Sequence, residues 1–256
     1  MGLGAPAPVF SAGGFHYLPG VFQYSAGVAA AAGYRLQRTR FSEPIPLGEA
    51  FAMVEAFLED IGRPTEAFCA CELRSPAPFS EAGFFAFNTA YAGQLERWGL
   101  LADGVNPVAR TNVCPVVDAP DEPAMYAFTF TLPEPDEPAM GSFVIAGSGE
   151  SIEGKATYEE TIVALGDTTP AGIATKAAFV LDEMERRLAG FGKSWADCST
   201  VDLYTVFDAY PVLGTLFAER RAWGEGVAWH WCRPPVEQID FEMDCRRIGV
   251  ELLLEV

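Results

Sequence analysis

The chain has 256 residues, half of them hydrophobic, and 35 acidic against 17 basic residues give it a formal net charge of −18 at pH 7. This charge repels nucleic acid and anionic lipid alike, so neither is an expected partner. No stretch reaches the roughly 18 apolar residues that a membrane helix needs, and residues 1–9 lack the basic start of a secretory signal. We therefore expect a cytoplasmic protein without membrane partners.

Cysteine and histidine usage limits the metal and redox chemistry open to the chain. The six cysteines lack Cys-x-x-Cys spacing and are expected to be reduced, mostly buried thiols. Two histidines, His16 and His230, are too few for a histidine-based metal site. The sequence also lacks a phosphate-binding glycine loop and a Ser/His/Asp order, so we expect neither a metal nor a cofactor.

The first half of the chain is predicted to alternate between strands and helices. Residues 34–40 alternate as a strand with one polar face, which Pro44 and Pro46 end. A helix with one apolar stripe follows at residues 47–61 and ends at Gly62, a usual C-terminal residue of helices. The other elements predicted in this half are strands at residues 68–73, 111–117 and 125–132 and a helix at residues 84–98.

An acidic, proline-rich segment separates the two halves. Residues 133–138 contain three prolines and three acids, which exclude regular structure. We therefore place a linker at residues 133–140 between domains at residues 1–132 and 141–256. The second half is predicted to contain strands at residues 142–147, 157–165, 201–206, 227–232 and 239–245 and helices at residues 172–191 and 213–222.

The two halves share a pattern that repeats at an offset of 130 residues. In each half a helix ends at a glycine (Gly62, Gly192), a cationic residue follows, and a strand then ends at a leucine (Leu73, Leu203). No single element is long enough to impose this offset, so the sequence predicts two related domains in tandem. The same offset relates Glu55 to Glu185, Leu58 to Leu188, Phe87 to Phe217 and Ala92 to Ala222.

Short motifs follow one another in the order of these elements. Those of the second half are SFVIAGSG at residues 142–149, WADC at 195–198, VDLY at 201–204 and IDFE at 239–242. Those of the first half are QYSA at residues 23–26, FN at 87–88 with Tyr91, and ART at 109–111. In this order the motifs resemble the Rid family of enamine and imine deaminases, and the resemblance covers nearly the whole chain in two passes.

The resemblance implies an α+β fold of two tandem Rid-like (chorismate mutase-like) domains, each a mixed β-sheet with helices packed on one face. Because the family's single-domain subunits form trimers, two domains per chain imply a homotrimer with six Rid-like halves. The implied activity is cofactor-independent hydrolysis of an enamine or imine to a ketone and ammonia. Since the family includes aminomuconate deaminases, the expected substrate is a 2-aminomuconate-type dicarboxylate from aromatic or amino-acid catabolism.

Each half departs from the family pattern at a different place. The first half has Tyr126 and Phe128 where the family has its acidic strand, and the second half lacks an arginine near Gly226. Two interpretations follow: the surviving parts meet at an interface in one composite site, or one half is active and the other is structural.

Three charged residues are the main candidates for catalysis. Arg110 is similar to the family's substrate-binding arginine, and a guanidinium binds a carboxylate in two-pronged fashion; otherwise it is a solvated strand end. Asp240 and Glu242 alternate with apolar residues in the predicted strand at residues 239–245, so both carboxylates would share one face. If that face closes over a site, either acid could transfer protons to and from the substrate. The alternative is that the face is exposed to solvent and has no catalytic role.

Four further residues are weaker candidates for substrate binding. The resemblance implies that Tyr24 and Asn88 orient the substrate. His230 is either a base or a satisfied histidine of the strand, and Arg233 is either a second carboxylate ligand or a charge at the rim. Besides a deaminase, the sequence leaves open a non-catalytic Rid-like protein that binds a small metabolite and a structural partner of a catabolic complex.

Overall fold

The computed structural model of the chain describes residues 6–101, 103–152 and 157–256. Its helices are α1 (Leu47–Asp60), α2 (Glu81–Arg97), α3 (Tyr158–Thr161), α4 (Pro170–Gly190), α5 (Tyr210–Val212) and α6 (Ala218–Arg220). Its strands are β1 (Val9–Phe10), β2 (Phe15–Leu18), β3 (Gly27–Ala30), β4 (Tyr34–Pro46), β5 (Phe68–Arg74), β6 (Ala109–Pro115), β7 (Ala124–Pro133), β8 (Phe143–Gly149), β9 (Thr200–Tyr204), β10 (Val227–His230), β11 (Cys232–Arg233), β12 (Glu242–Arg247) and β13 (Glu251–Leu254).

The strands form two sheets that contain both parallel and antiparallel pairs. Sheet 1 has the order β1-β2-β3-β8-β12-β9-β10, and sheet 2 has the order β11-β6-β5-β7-β4-β13. Most neighbours are antiparallel, whereas β9 with β10, β5 with β6 and β4 with β13 are parallel. The predicted α+β class with mixed sheets is confirmed.

Three apolar clusters pack the helices on the outer faces of the sheets and the two sheets against each other. The stripe of α4, which includes Leu181 and Leu188, packs on sheet 1, and α1 and α2 pack on sheet 2 through residues such as Val54 and Leu95. The two sheets face each other across a third, smaller cluster, composed of Phe15, Val28, Ala30, Leu36, Cys69, Ala70, Ala109 and Ala146. Buried polar side chains also contact each other between the sheets, such as Thr111 of β6 and Asp244 of β12.

The central strands of the two sheets have the same order and directions. Sheet 2 contains β4-β7-β5-β6, and sheet 1 contains β8-β12-β9-β10. The helices that precede β5 and β9 also end alike, since Gly62 and Gly192 have φ values of 69° and 68°, a left-handed conformation that favours glycine. Duplication of one ancestral domain would produce two sheets with the same strand order. The tandem Rid-like architecture stays a prediction.

Strands cross the predicted boundary at residues 133–140 in both directions. From the first half, β3 pairs with β8 of sheet 1, and β2 and β1 continue the sheet beyond β3. From the second half, β13 pairs with β4, and β11 pairs with β6. Each sheet therefore contains strands from both halves, so the division into residues 1–132 and 141–256, which stays a prediction, differs from the division into sheets.

Two predicted strands differ from the structure for local reasons. In the segment 157–165, Tyr158–Thr161 is a short helix, and Thr161 Oγ1 donates to the carbonyl of Thr157 at 2.9 Å. The prediction of a strand there is wrong. In the segment 227–232, β10 ends at His230 in sheet 1 and the chain then enters sheet 2 as β11, so one predicted strand is two short ones.

The predicted strand at residues 239–245 begins only at Glu242. The buried carboxylate of Glu150 accepts the backbone N–H groups of Asp240 and Phe241 at 2.7 and 2.9 Å. Because these two donors are used by a side chain, they cannot join the sheet ladder. Alternation therefore holds from Glu242 onward and does not extend back to Asp240.

None of the described helices is long and apolar enough to cross a membrane. All six cysteines are buried and free of disulfides, as the sequence predicts. The cytoplasmic location and the homotrimer stay predictions, and light scattering of the purified protein would test the second.

Candidate functional site

A pocket lies where β6 of sheet 2 faces β8 and β12 of sheet 1. It spans about 450 Å³ of space between the surrounding atoms, part of which is open to solvent. Arg110 and Asn112 enter it from β6, and Glu242 enters it from β12. The pocket thus combines a cation, an amide and an acid from both sheets.

Arg110 is buried among aromatic rings at the inner end of this pocket. Only 3% of the residue is exposed, and four rings surround its guanidinium carbon at 4.8–5.7 Å from their centroids. Its Nη1 atom has no hydrogen-bond partner among the described residues. A buried cation without a bonded anion is costly, so a bound anion is expected to complete the site. The four rings belong to Tyr24, Phe84, Phe87 and Tyr91.

Glu242 is the acid of the pocket, and a glycine of the neighbouring strand makes room for it. A Cβ atom at Gly147 would lie 2.4 Å from Glu242 Oε1 and 3.2 Å from the backbone of Thr111. Any larger residue at position 147 would therefore displace the carboxylate. The close approach of β8 to β6 and β12 fixes where Glu242 stands.

The pocket takes its cation and its acid from different halves of the chain. Arg110 and Val227 occupy equivalent positions in β6 and β10, because the residues they pair with are 130 positions apart. By the same criterion Ala124 in β7 is equivalent to Glu242 in β12. The two charged groups therefore line one pocket within one chain, and their equivalent positions hold small or apolar residues.

Asp240, the other predicted acid, lies in a buried ionic cluster beside α4. Its Oδ2 atom is 2.7 Å from Lys176 Nζ, which is also 3.1 Å from Glu150 Oε1. Burial raises the pKa of Glu150 despite the bonds that it accepts. Burial opposes the charge on Lys176, but its bonds to Asp240 and Glu150 outweigh this effect and raise its pKa. The structure thus brings Arg110 together with Glu242 and places Asp240 outside the pocket lining.

Lys176→Met is expected to destabilise the protein by about 3–5 kcal/mol, because it leaves two buried carboxylates without their cation. Urea unfolding at pH 7, followed by circular dichroism, measures the change. Lys193→Met, which alters a half-buried lysine beyond the end of α4, is the matched control and is expected to change stability by less than about 1 kcal/mol. Equal stability of the two variants would contradict the structural importance of the cluster.

The remaining predicted residues occupy different surroundings. The ring of Tyr24 lines the pocket 5.2 Å from the Arg110 guanidinium carbon. Asn88 is buried on α2, and its Oδ1 has no partner within the described part of the chain. His230 Nε2 lies 2.8 Å from Asp202 Oδ1, and Arg233 is exposed on β11. Neither His230 nor Arg233 lines the pocket.

A second acid lies next to the pocket, between the sheets. Asp244 Oδ2 accepts hydrogen bonds from Thr111 Oγ1 at 2.7 Å and from the Tyr204 hydroxyl at 3.0 Å. Burial, followed by the negative charge of Asp202, raises the pKa of Asp244 from 3.8 to about 7. The folded protein therefore binds this proton more tightly than the unfolded chain does.

Stability is expected to depend on pH through Asp244. The favourable contribution of its proton is complete below pH 4 and is lost as the pH rises to about 7. In Asp244→Asn, which stays neutral, the free energy of unfolding relative to the unaltered protein should rise by about 2–4 kcal/mol between pH 4 and 8. Urea unfolding at intervals of one pH unit measures this difference. A difference that is constant with pH would contradict the raised pKa.

Sequence reasoning missed several residues around Arg110. Phe84, Phe87 and Tyr91 have the 3.6-residue spacing of a core stripe, and nothing local shows that this stripe also faces an arginine. A place for Asn112 in the site could have been predicted, since alternation in a strand puts its side chain on the same face as that of Arg110. Within the described residues, no group of three or more His, Cys, Asp or Glu is arranged to hold a metal ion.

Comparisons with known proteins agree with one another. Residues 7–252 match the model of the family described as 2-aminomuconate deaminase CnbZ. The chain is also similar to a 2-amino-5-chloromuconate deaminase of Comamonas testosteroni, with 50% identity over 248 residues. That alignment covers 97% of this chain and 99% of the relative. Both matches span the two halves and hence the residues that form the pocket.

Proposed function

The chain belongs to the 2-aminomuconate deaminase family, and we propose that it hydrolyses 2-aminomuconate or a close analogue to the 2-oxo dicarboxylate and ammonia. The observation that carries this proposal is the buried Arg110, whose Nη1 lacks a protein partner in the described structure and which shares a pocket with Glu242. A carboxylated substrate supplies the missing anion. The acid beside it supplies the proton transfer that deamination requires.

Substrate binding follows from the surroundings of Arg110. Its guanidinium binds one carboxylate, and the pocket's remaining walls suit a flat carbon chain, because Phe84, Val236 and Ile239 line them. These apolar walls also accept a chlorine atom in place of a hydrogen. For this reason 2-amino-5-chloromuconate, after which the relative is named, is a second proposed substrate.

The proposed reaction needs only proton transfers and one water molecule. Glu242 in its acid form protonates C3 of the enamine, which makes C2 the electrophilic carbon of an iminium ion. Water adds to C2 while the Glu242 carboxylate takes its proton. Glu242 then gives this proton to the nitrogen, the C–N bond breaks and ammonia leaves, and the Glu242 carboxylate takes the proton of the C2 hydroxyl to give the ketone. The sum consumes one water and restores Glu242, so the proposal includes no metal or organic cofactor.

This mechanism is the one that the Rid resemblance implies. It bears on the two interpretations of the repeat, a composite site and one active half beside a structural half. Arg110 comes from the first half and Glu242 from the second, and both line one pocket. The geometry therefore favours a composite site over an active half beside a structural one. In a cell the proposed place of this reaction is the catabolism of aromatic compounds.

The test is ammonia release from 2-aminomuconate by the purified protein. We expect ammonia to form in proportion to protein concentration, together with loss of the substrate's ultraviolet absorbance, well above the spontaneous hydrolysis in buffer. Ammonia production equal to the buffer control would contradict the proposal. Calorimetry that shows binding of the dicarboxylate without ammonia release would instead favour the non-catalytic binding protein.

A further inference from the structure

Two side chains of β6 present unused hydrogen-bond donors to the same pocket. Arg110 and Asn112 both line it and are both buried. Arg110 Nη1 and Asn112 Nδ2 each lack an acceptor among the described residues. Leaving a buried donor unpaired costs about 1–3 kcal/mol, so two such donors in one cavity indicate an acceptor that comes from a ligand.

The amide of Asn112 is held in one orientation by Ser75. The Ser75 hydroxyl donates to Asn112 Oδ1 at 3.0 Å, and the Ser75 backbone N–H donates to the Val113 carbonyl at 2.9 Å. Ser75 is fully buried, so this arrangement is rigid. Since the oxygen end of the amide is occupied, the buried NH₂ end is the part of this pocket-lining side chain that is left to bind a ligand.

We propose that Asn112 Nδ2 donates to the same substrate carboxylate that Arg110 binds, which makes Asn112 a substrate-binding residue that selects for an anion. This inference rests on the proposed function in taking the substrate to be carboxylated. Side chains two apart in a strand stand on one face about 7 Å apart at their Cα atoms, close enough for a long arginine and a short asparagine to converge on one group. A carboxylate, which accepts hydrogen bonds and donates none, satisfies both donors together.

Calorimetric titration with muconate, the dicarboxylate without the amino group, tests the assignment separately from catalysis. Asn112→Ala should weaken muconate binding about 10- to 100-fold, the value of one hydrogen bond to a charged group. The same variant should raise KM for 2-aminomuconate by a similar factor and leave kcat nearly unchanged, because the bond is made equally in the bound and transition states. Asn112→Asp should weaken binding still further, since a second anion faces the carboxylate.

Thr39→Val is the matched control, because Thr39 Oγ1 is another buried atom without a partner in the described chain and lies on β4 outside the pocket lining. It should leave muconate affinity unchanged. If Asn112→Ala does not fold, the muconate titration is made with Asn112→Asp, because that variant keeps the size of the side chain and an acceptor for Ser75.

Unchanged muconate affinity in Asn112→Ala would overturn the assignment, as would a loss confined to kcat or an aspartate variant that binds no worse than the alanine variant. The two proposals fail separately. If muconate binding depends on both Arg110 and Asn112 while 2-aminomuconate yields no ammonia, the proposed function is wrong and the carboxylate site stands.

Discussion

Arg110→Ala is expected to lower kcat/KM for 2-aminomuconate about 100- to 1,000-fold. The variant loses a charge-assisted, two-pronged contact to the substrate carboxylate in a buried pocket, worth about 3–4 kcal/mol. Arg110→Lys keeps the charge but loses the two-pronged geometry. Its kcat/KM should lie between those of the unaltered protein and Arg110→Ala. Steady-state kinetics at saturating and subsaturating substrate measure both effects, and most of the loss should lie in KM.

Stability separates this binding role of Arg110 from a structural one. In the described structure Nη1 of this buried arginine is unpaired, and its charge is offset by contacts with four aromatic rings, against which a methionine side chain can also pack. Arg110→Met should therefore unfold at the same or a higher urea concentration than the unaltered protein while losing activity. Arg97→Ala, at the exposed last turn of α2, is the control for removing a cation from this acidic chain. Activity lost together with stability would assign Arg110 to the fold.

Local signals in the sequence determined the long helices well. The helix predicted at residues 47–61 is Leu47–Asp60, and the one predicted at residues 172–191 is Pro170–Gly190. In both, an apolar stripe defines the helix and a glycine with positive φ ends it, and neither signal depends on the rest of the molecule. The buried strand predicted at residues 68–73 is likewise found as Phe68–Arg74.

The long-range strand pairs and the start of β12 cannot be predicted from local sequence patterns. The pairing of β3 with β8 and of β13 with β4 joins residues more than 100 positions apart, and no periodicity encodes which strand a short strand pairs with. Asp240 and Glu242 looked equivalent by alternation alone. They differ because a buried glutamate, Glu150, takes the backbone donors before Glu242 and so ends the strand there.

The site shows the same division between local and long-range information. Arg110 was identifiable because a cation in an acidic chain is conspicuous and because its flanking residues resemble a known motif. Its aromatic neighbours on α2 have the spacing of a core stripe, and Tyr91 is also part of the core beneath sheet 2. That an arginine of the first half shares a pocket with Glu242 of the second depends on how two sheets face each other, and a repeat in sequence carries no information on that contact.

Glu242→Gln is expected to lower kcat about 100- to 10,000-fold with little change in KM. The amide keeps the size of the side chain and loses the ability to donate and recover a proton, and general acid–base catalysis contributes this much in enzymes. Because substrate binding depends on Arg110 and the apolar walls, KM should be nearly constant. The measurement is steady-state kcat and KM of the variant and of the unaltered protein at pH 7.

Two comparisons make the assignment of Glu242 specific. Glu237→Gln removes an exposed acid from the neighbouring loop and controls for the loss of one negative charge. Asp240→Asn disrupts the bond to Lys176 and should lower the free energy of unfolding more than it lowers kcat. The opposite pattern, with kcat preserved in Glu242→Gln and lost in a folded Asp240→Asn, would assign the proton-transfer role to Asp240. For Asp240 to act, its side chain would have to turn away from Lys176, which would leave that buried lysine with Glu150 as its remaining carboxylate partner. The energy of that rearrangement is the physical reason to expect Glu242.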